Sequence, residues 1–447
     1  MAHSYRVSEG TAAGIAAYER NDWKAGYELL SEAIAGTPDD ATALDALSEC
    51  CWWLERTDEA IEHRERAYGI HYRNGDWSKA AGAALKLGGA YATTRQQPAV
   101  AAGWRQRASE LLEGKPLSAA HLHLKLGIAQ RMTDVDGCLP LIDEVIGLAQ
   151  QLGDHDQEML AIGLKGLKLV CLGRLDEGLP LQDAALAAAV GGELTPLSTV
   201  LAYCWLISSC DNLGDIERAN EWSDSALRYC DRAAIPSFPG VCRLHRSRML
   251  RLRGAWHEAE AEAFRAAEAL GTTNPGFYAL ALCEVAELRR RRGDVDGARD
   301  LARQAVAMGR TPQVALARIE WEADGPEAAM YRLESALHDP ITDRFARAKL
   351  IPTYVEAAIA CGKAESAEEH VTELESLAEV GHTNVLRGAG LARPAAARAP
   401  GSCGRASRAG SRGRRLVRGR GPLRGRARPA RARRRAPRDR QPRWCAL

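Results

Sequence analysis

Five residues able to bind a metal or act as nucleophiles crowd into one stretch: Cys204, Cys210, Cys230, Cys242 and His245. A structural zinc site needs four converging ligands, usually supplied at short spacings such as C-x2-C. Only Cys242-x-x-His245 approaches that spacing. Cysteine is also among the most buried residue types and packs between helices as a small hydrophobe, so packing is the expectation and no metal ligand is assigned. His121-x-His123 is a second candidate. Positions i and i+2 of a helix face different ways, so these imidazoles do not pair on one ion. Asp134-x-Asp136-Gly137 and Asp294-x-Asp296-Gly297 echo the start of a calcium loop. Such a loop needs an acidic residue at its twelfth place, where Val145 and Ala305 stand here. Both stretches are read as helix caps. Arg289–Arg292 closes a predicted helix, where cations suit the negative end of the helix dipole.

The chain has no G-x-x-x-x-G-K-[ST], no G-x-G-x-x-G after a strand, no H-E-x-x-H and no G-x-S-x-G. No catalytic residue and no cofactor is therefore expected. The tryptophans say more. Trp23, Trp77 and Trp256 hold the same place in a recurring phrase, which marks them as packing anchors. Trp52 and Trp53 are neighbours on one predicted helix and cannot both face the core. One of them is expected on a concave surface, in contact with a ligand.

That phrase organises the chain. It reads Gly173-Arg-Leu175-Asp-Glu-Gly178, Gly214-Asp-Ile216-Glu-Arg-Ala219, Gly254-Ala-Trp256-His-Glu-Ala259 and Gly293-Asp-Val295-Asp-Gly-Ala298. Earlier versions start at Asn21, Glu55 and Gly75, and a late one at Gly362. The first residue turns the chain with positive φ between two helices. The next polar residue caps the second helix. The small residue five places on faces the partner helix and lets the backbones approach. Gly26, Ala80, Gly178, Ala219, Ala259, Ala298 and Ala367 hold that place or serve as such packing positions. A period near 40 residues with this content predicts an all-α, right-handed, tetratricopeptide-like solenoid of nine or ten helical pairs. Its helices should be longer than average.

The overall charge of +2 hides two opposite parts. Residues 387–447 hold 20 Arg, no Lys, one Asp and no Glu, a net +19. Residues 1–386 carry 40 Lys+Arg against 57 Asp+Glu, a net −17. The expected division is a repeat array over 1–385 and a basic tail over 386–447. The tail draws 48 of the 61 residues from 387 onward from Arg, Ala, Gly and Pro, without apolar periodicity, and is expected to be disordered. Its abrupt start and GC-rich codon set also fit an out-of-frame reading of a gene that once continued the array. The acidic array is a poor nucleic-acid binder by charge, whereas the tail could track phosphates without sequence preference. No signal-like apolar run opens the chain and no 18-residue uncharged apolar run occurs, so a soluble cytoplasmic protein with reduced thiols is expected.

The regular section resembles one known group. Leu201–Trp222, Cys230, Pro236–Cys242, Leu250–Glu260 and Trp52–Ala60 are similar to actinobacterial LuxR-type transcriptional regulators with tetratricopeptide-like repeats. The resemblance covers about residues 8–385. It implies a non-catalytic sensory array that binds a protein, a peptide or a small effector in its groove. In that group a helix-turn-helix follows the array, and no position of this chain matches it, so specific DNA binding is not implied.

Overall fold

The computed structural model describes residues 9–233, 238–271, 274–338 and 344–381. The basic segment 386–447, and with it the expectation of disorder, lies outside them. The described residues contain twenty-one α-helices, one short 3-10 turn and no strand. The chain opens with α1 (Glu9–Glu19), α2 (Trp23–Gly36), α3 (Ala41–Trp53), α4 (Thr57–Asn74), α5 (Trp77–Thr93) and α6 (Pro98–Leu112). It continues with α7 (Ala119–Arg131), α8 (Val135–Leu152), α9 (His155–Cys171), α10 (Leu175–Gly191), α11 (Pro196–Leu213) and α12 (Ile216–Arg232). Then come α13 (Phe238–Leu252), α14 (Trp256–Leu270), α15 (Pro275–Arg291), α16 (Val295–Ala307), α17 (Gln313–Asp324) and α18 (Pro326–His338). The array closes with α19 (Arg344–Ala348), α20 (Ile351–Ala360) and α21 (Glu368–Gly381). This is a right-handed tetratricopeptide-like solenoid. No described helix is long and apolar enough to cross a membrane.

The phrase works residue by residue. Gly173, Gly214, Gly254 and Gly293 have φ of 86°, 70°, 82° and 86°. Asn21 and Glu55 take the same left-handed turn at 62° and 63°, a conformation in which a side chain carries strain. The residue two places on is in each case the first of a helix: Trp23, Thr57, Trp77, Leu175, Ile216, Trp256 and Val295. Asp22, Asp215 and Asp294 accept hydrogen bonds from the backbone N–H of Ala25, Arg218 and Gly297, at 3.1, 3.2 and 3.0 Å. Asp134 caps α8 in the same way through Gly137 N–H. Gly75 departs in one respect. Its turn joins α4 to α5, between two pairs, so the phrase marks a tight helix-helix turn wherever one is needed.

The small positions sit at helix crossings. Ala80, Ala219, Ala259 and Ala298 have no solvent exposure, Ala367 has 2%, and Gly26 and Gly178 are buried. A Cβ on Gly178 would lie 2.7 Å from the carbonyl oxygen of Gly166, and one on Gly166 would lie 2.6 Å from that of Gly178. The two backbones therefore touch directly where α9 crosses α10.

Alternate helices form an inner layer. Odd-numbered helices pack on the next odd-numbered helix from α1 to α3 and from α5 through α17, whereas the described even helices make no comparable contacts until α18 meets α20. In a curved array the crowded layer is the concave one. The curvature is tight enough to return the chain to itself. Trp23 Nε1–H donates to the carbonyl of Ala233 at 3.0 Å, 210 residues away. Trp23 stacks on Trp53 at 5.4 Å, and both join the core formed around α11 to α13. Five pairs further on, Arg344 Nη1 donates to Leu172 O, and Lys349 Nζ reaches Asn212 Oδ1 at 2.8 Å. Helices about five pairs apart thus lie on successive turns of one superhelix, in contact.

Candidate functional site

The inner layer carries a ladder of charge across α11, α13 and α15. Asp211 near the end of α11 accepts from Arg248 Nη1 on α13 at 2.8 Å. Arg248 also approaches Glu284 on α15 at 3.8 Å, and Arg251, one helical turn on, donates to Glu284 at 2.5 Å. Lys349, from the α19–α20 junction on the next superhelical turn, stands 3.4 Å from Asp211. Asp211 and Glu284 are buried, at 5% and 6% exposure, yet 42% of the Lys349 side chain remains open to solvent. The ladder is therefore a lined wall with a reachable cationic head.

Burial acts to raise the pKa of Asp211, but Lys349, Arg248, His245 and Arg251 outweigh it and hold the carboxyl well below the usual range. His245 on α13 is pushed down to about 4, first by burial and then by Arg248. It stays neutral at pH 7, with Nε2 3.5 Å from Ser208 Oγ and Nδ1 buried without a partner. Burial also lowers the Lys349 ammonium, which Asp211 partly restores.

A second polar cluster lies on α3, α4 and α5. Arg64 donates to Asp45 at 2.8 Å and to Ser48 Oγ at 3.0 Å, and it also pairs with Glu49. His71 Nε2 meets Asp45 at 2.7 Å, and Lys86 Nζ meets Glu49 at 2.6 Å. Burial acts to raise Glu49, and Lys86 and Arg64 bring it down to about 2. Ser48 Oγ donates to the carbonyl of Ala60 at 2.7 Å, and Ser247 repeats that bond to Ala259 at 2.7 Å. Ala60 and Ala259 share one place in the phrase, so this serine bond ties the small residue to its partner helix in both repeats.

The sequence candidates distribute as follows. Cys210, Cys230 and Cys242 are buried free thiols and Cys204 is half-buried, without four ligands converging. His121 belongs to the α7 cap, with Nδ1 3.2 Å from the Ser118 backbone N. Arg289 and Arg292 pair with Glu260, and Arg290 and Arg291 with Glu287, so the arginine run is matched by carboxylates. Trp53 is withdrawn into the contact between superhelical turns, at 9% exposure. Trp52 is half-buried on α3 and leans on Ile61, Leu87 and Ala90.

Two groupings escaped the sequence reading. The ladder depends on Lys349, 138 residues from Asp211, and no local pattern signals that meeting. Cys51, Glu59 and His63 converge at the α3–α4 turn, with one ligand atom from each within 4.8 Å of the others. The Glu59-x-x-x-His63 spacing on one helix face was a visible hint.

No protein-family model matches the chain, and no curated protein does. Among solved structures, the crystal structure of Rap protein complexed with competence and sporulation factor is similar at 10% identity, over 86% of this chain and 99% of that one, with a TM-score of 0.51. A human IFIT1 dimer with m7Gppp-AAAA aligns at 12% identity, over 86% of this chain and 92% of that one, with a TM-score of 0.44. The Rap likeness shows the helical-repeat fold.

Proposed function

We propose that the chain is a non-catalytic binding module whose inner wall holds a protein, a peptide or a small effector. The observation that carries this reading is the ladder Asp211–Arg248–Glu284–Arg251 ending on the accessible Lys349. Alternating fixed charges on a concave wall suit a ligand with its own charged and hydrogen-bonding groups, which they hold in one register. Trp52, half-buried on the inner-layer helix α3, is the aromatic side chain proposed to contact the ligand. The Rap protein carries competence and sporulation factor in its structure, so an array of this fold is suited to holding a factor. The resemblance of residues 8–385 to LuxR-type regulators gives the finer reading, the sensory part of a transcriptional regulator. Affinity capture with the full chain and with Lys349→Glu tests the site. Loss of a captured partner at unchanged melting temperature supports it; identical partners in both samples contradict it.

A second reading rests on charge. The +19 of residues 387–447 is enough to bind DNA or RNA non-specifically at low salt. Binding that weakens steeply between 50 and 200 mM salt, and that vanishes on removal of residues 387–447, would favour it.

A further inference from the structure

We propose that Cys51, Glu59 and His63 form a binding site for a divalent cation of the zinc class, clamping α3 to α4. This goes beyond the groove and does not depend on it. The left-handed turn at Glu55 folds α4 back along α3 and sets the three side chains together. Cys51 comes from the last turn of α3, has no solvent exposure and is a free thiol. Glu59 and His63 are four residues apart on α4, so they share one face.

Two further observations point to a ligand. The buried Nδ1 of His63 has no hydrogen-bond partner. Such a group is costly to bury, and coordination of the imidazole would relieve it. The Glu59 carboxylate is already oriented, as metal-binding carboxylates usually are. Its Oε2 accepts from Tyr27 O–H at 3.1 Å and its Oε1 from Arg56 Nε at 2.8 Å. Oε1 also lies 2.7 Å from Arg56 Nη2, so it is Oε2 that keeps a free lone pair for an ion.

The ligand atoms lie within 4.8 Å of one another. A tetrahedral zinc with Zn–S of about 2.3 Å and Zn–N of about 2.0 Å sets sulfur and nitrogen about 3.5 Å apart. Contraction of up to about 1.3 Å, within side-chain reach, closes the site. As the metal–sulfur bond forms, the Cys51 thiol gives its proton to solvent. Thiolate, carboxylate and the neighbouring Arg56 then sum to −1, which a divalent ion turns to +1. Thiolate with imidazole selects zinc or cobalt over magnesium or calcium. Three protein ligands leave the fourth position for water or for a donor atom from outside.

The test uses the full chain, stripped with chelator and titrated with Co2+ alone. The expected result is one equivalent bound with thiolate-to-cobalt charge-transfer absorption in the near ultraviolet, displaced by Zn2+. Cys51→Ser should abolish that absorption, and His63→Gln should weaken binding tenfold or more. Absence of a saturable cobalt spectrum overturns the proposal, as does an unchanged spectrum in Cys51→Ser, which would assign the metal to other thiols. Should Cys51→Ser not fold, His63→Gln decides alone, since His63 is only partly buried: full affinity in that variant contradicts the site.

Discussion

The two polar clusters are built from the same residue types but closed in different ways. The front cluster, on α3 to α5, is local. Arg64, Asp45, Glu49, His71 and Lys86 lie within 42 residues, and each carboxylate is satisfied by the neighbouring helices. The central ladder is finished from a distance. Asp211 meets Arg248 on the next inner helix but also Lys349 from the following superhelical turn. The front cluster holds its repeats together whatever the rest of the chain does. The central ladder is completed only where successive superhelical turns meet, and its last cation stays open to solvent. On the proposed reading, structure is the task of the first cluster and recognition that of the second.

The largest expected effect tests the front cluster. Arg64→Ala leaves Asp45 and Glu49 without their shared, buried counter-ion, and unfolding by urea should show a loss of about 3–5 kcal/mol. A loss under about 1 kcal/mol would make the cluster an exposed surface network. Next comes pH. His245 is neutral in the fold with its pKa down to about 4, and its ordinary value is 6.5. The unfolded chain therefore binds the extra proton between these values, and stability falls as pH drops from 6.5 to 4, by roughly 2–3 kcal/mol. His245→Gln should flatten that part of the stability profile; an unaltered slope would assign it elsewhere. Smaller still are the crossings. Gly178→Ala pushes a Cβ against Gly166 O, and Ala259→Leu overfills the α13–α14 contact. Each should cost about 1–3 kcal/mol, read from denaturation midpoints, and a neutral result at either would mean that the helices separate freely there. Least costly is Trp23→Phe, which removes the hydrogen bond to Ala233 O. It should cost about 1 kcal/mol and raise the radius of gyration in solution scattering, because it loosens contact between turns and spares the repeats.

The repeats were legible because their causes are local. A glycine at the turn, a polar cap and a small residue five places on define one junction, and Gly214-Asp215-Ile216 with Ala219 performs all three tasks. Asn21 and Glu55 could be read as turns only because the rest of the phrase surrounds them. The candidate site was not legible. Whether Lys349 reaches Asp211 depends on small angles between successive pairs, summed over five of them, and no residue encodes that sum. Trp53 shows the same limit. Its neighbour Trp52 could be separated from it by helix geometry, but the stacking on Trp23 and the seat against α12 and α13 follow from superhelical pitch. The Cys51, Glu59 and His63 cluster lies between these cases, since half of it is a helical spacing and half is a helix pairing.

Contact between successive superhelical turns can be tested with a zero-length carbodiimide, which joins a lysine amine to a carboxylate it touches. Peptide mass spectrometry of the coupled full chain should find Lys349 bonded to Asp211, alongside the local pairs Lys165–Asp143 and Lys86–Glu49, both at 2.6 Å. Recovery of the two local links without any Lys349–Asp211 link would contradict the closed superhelix, and with it the proposed binding wall that the closure completes.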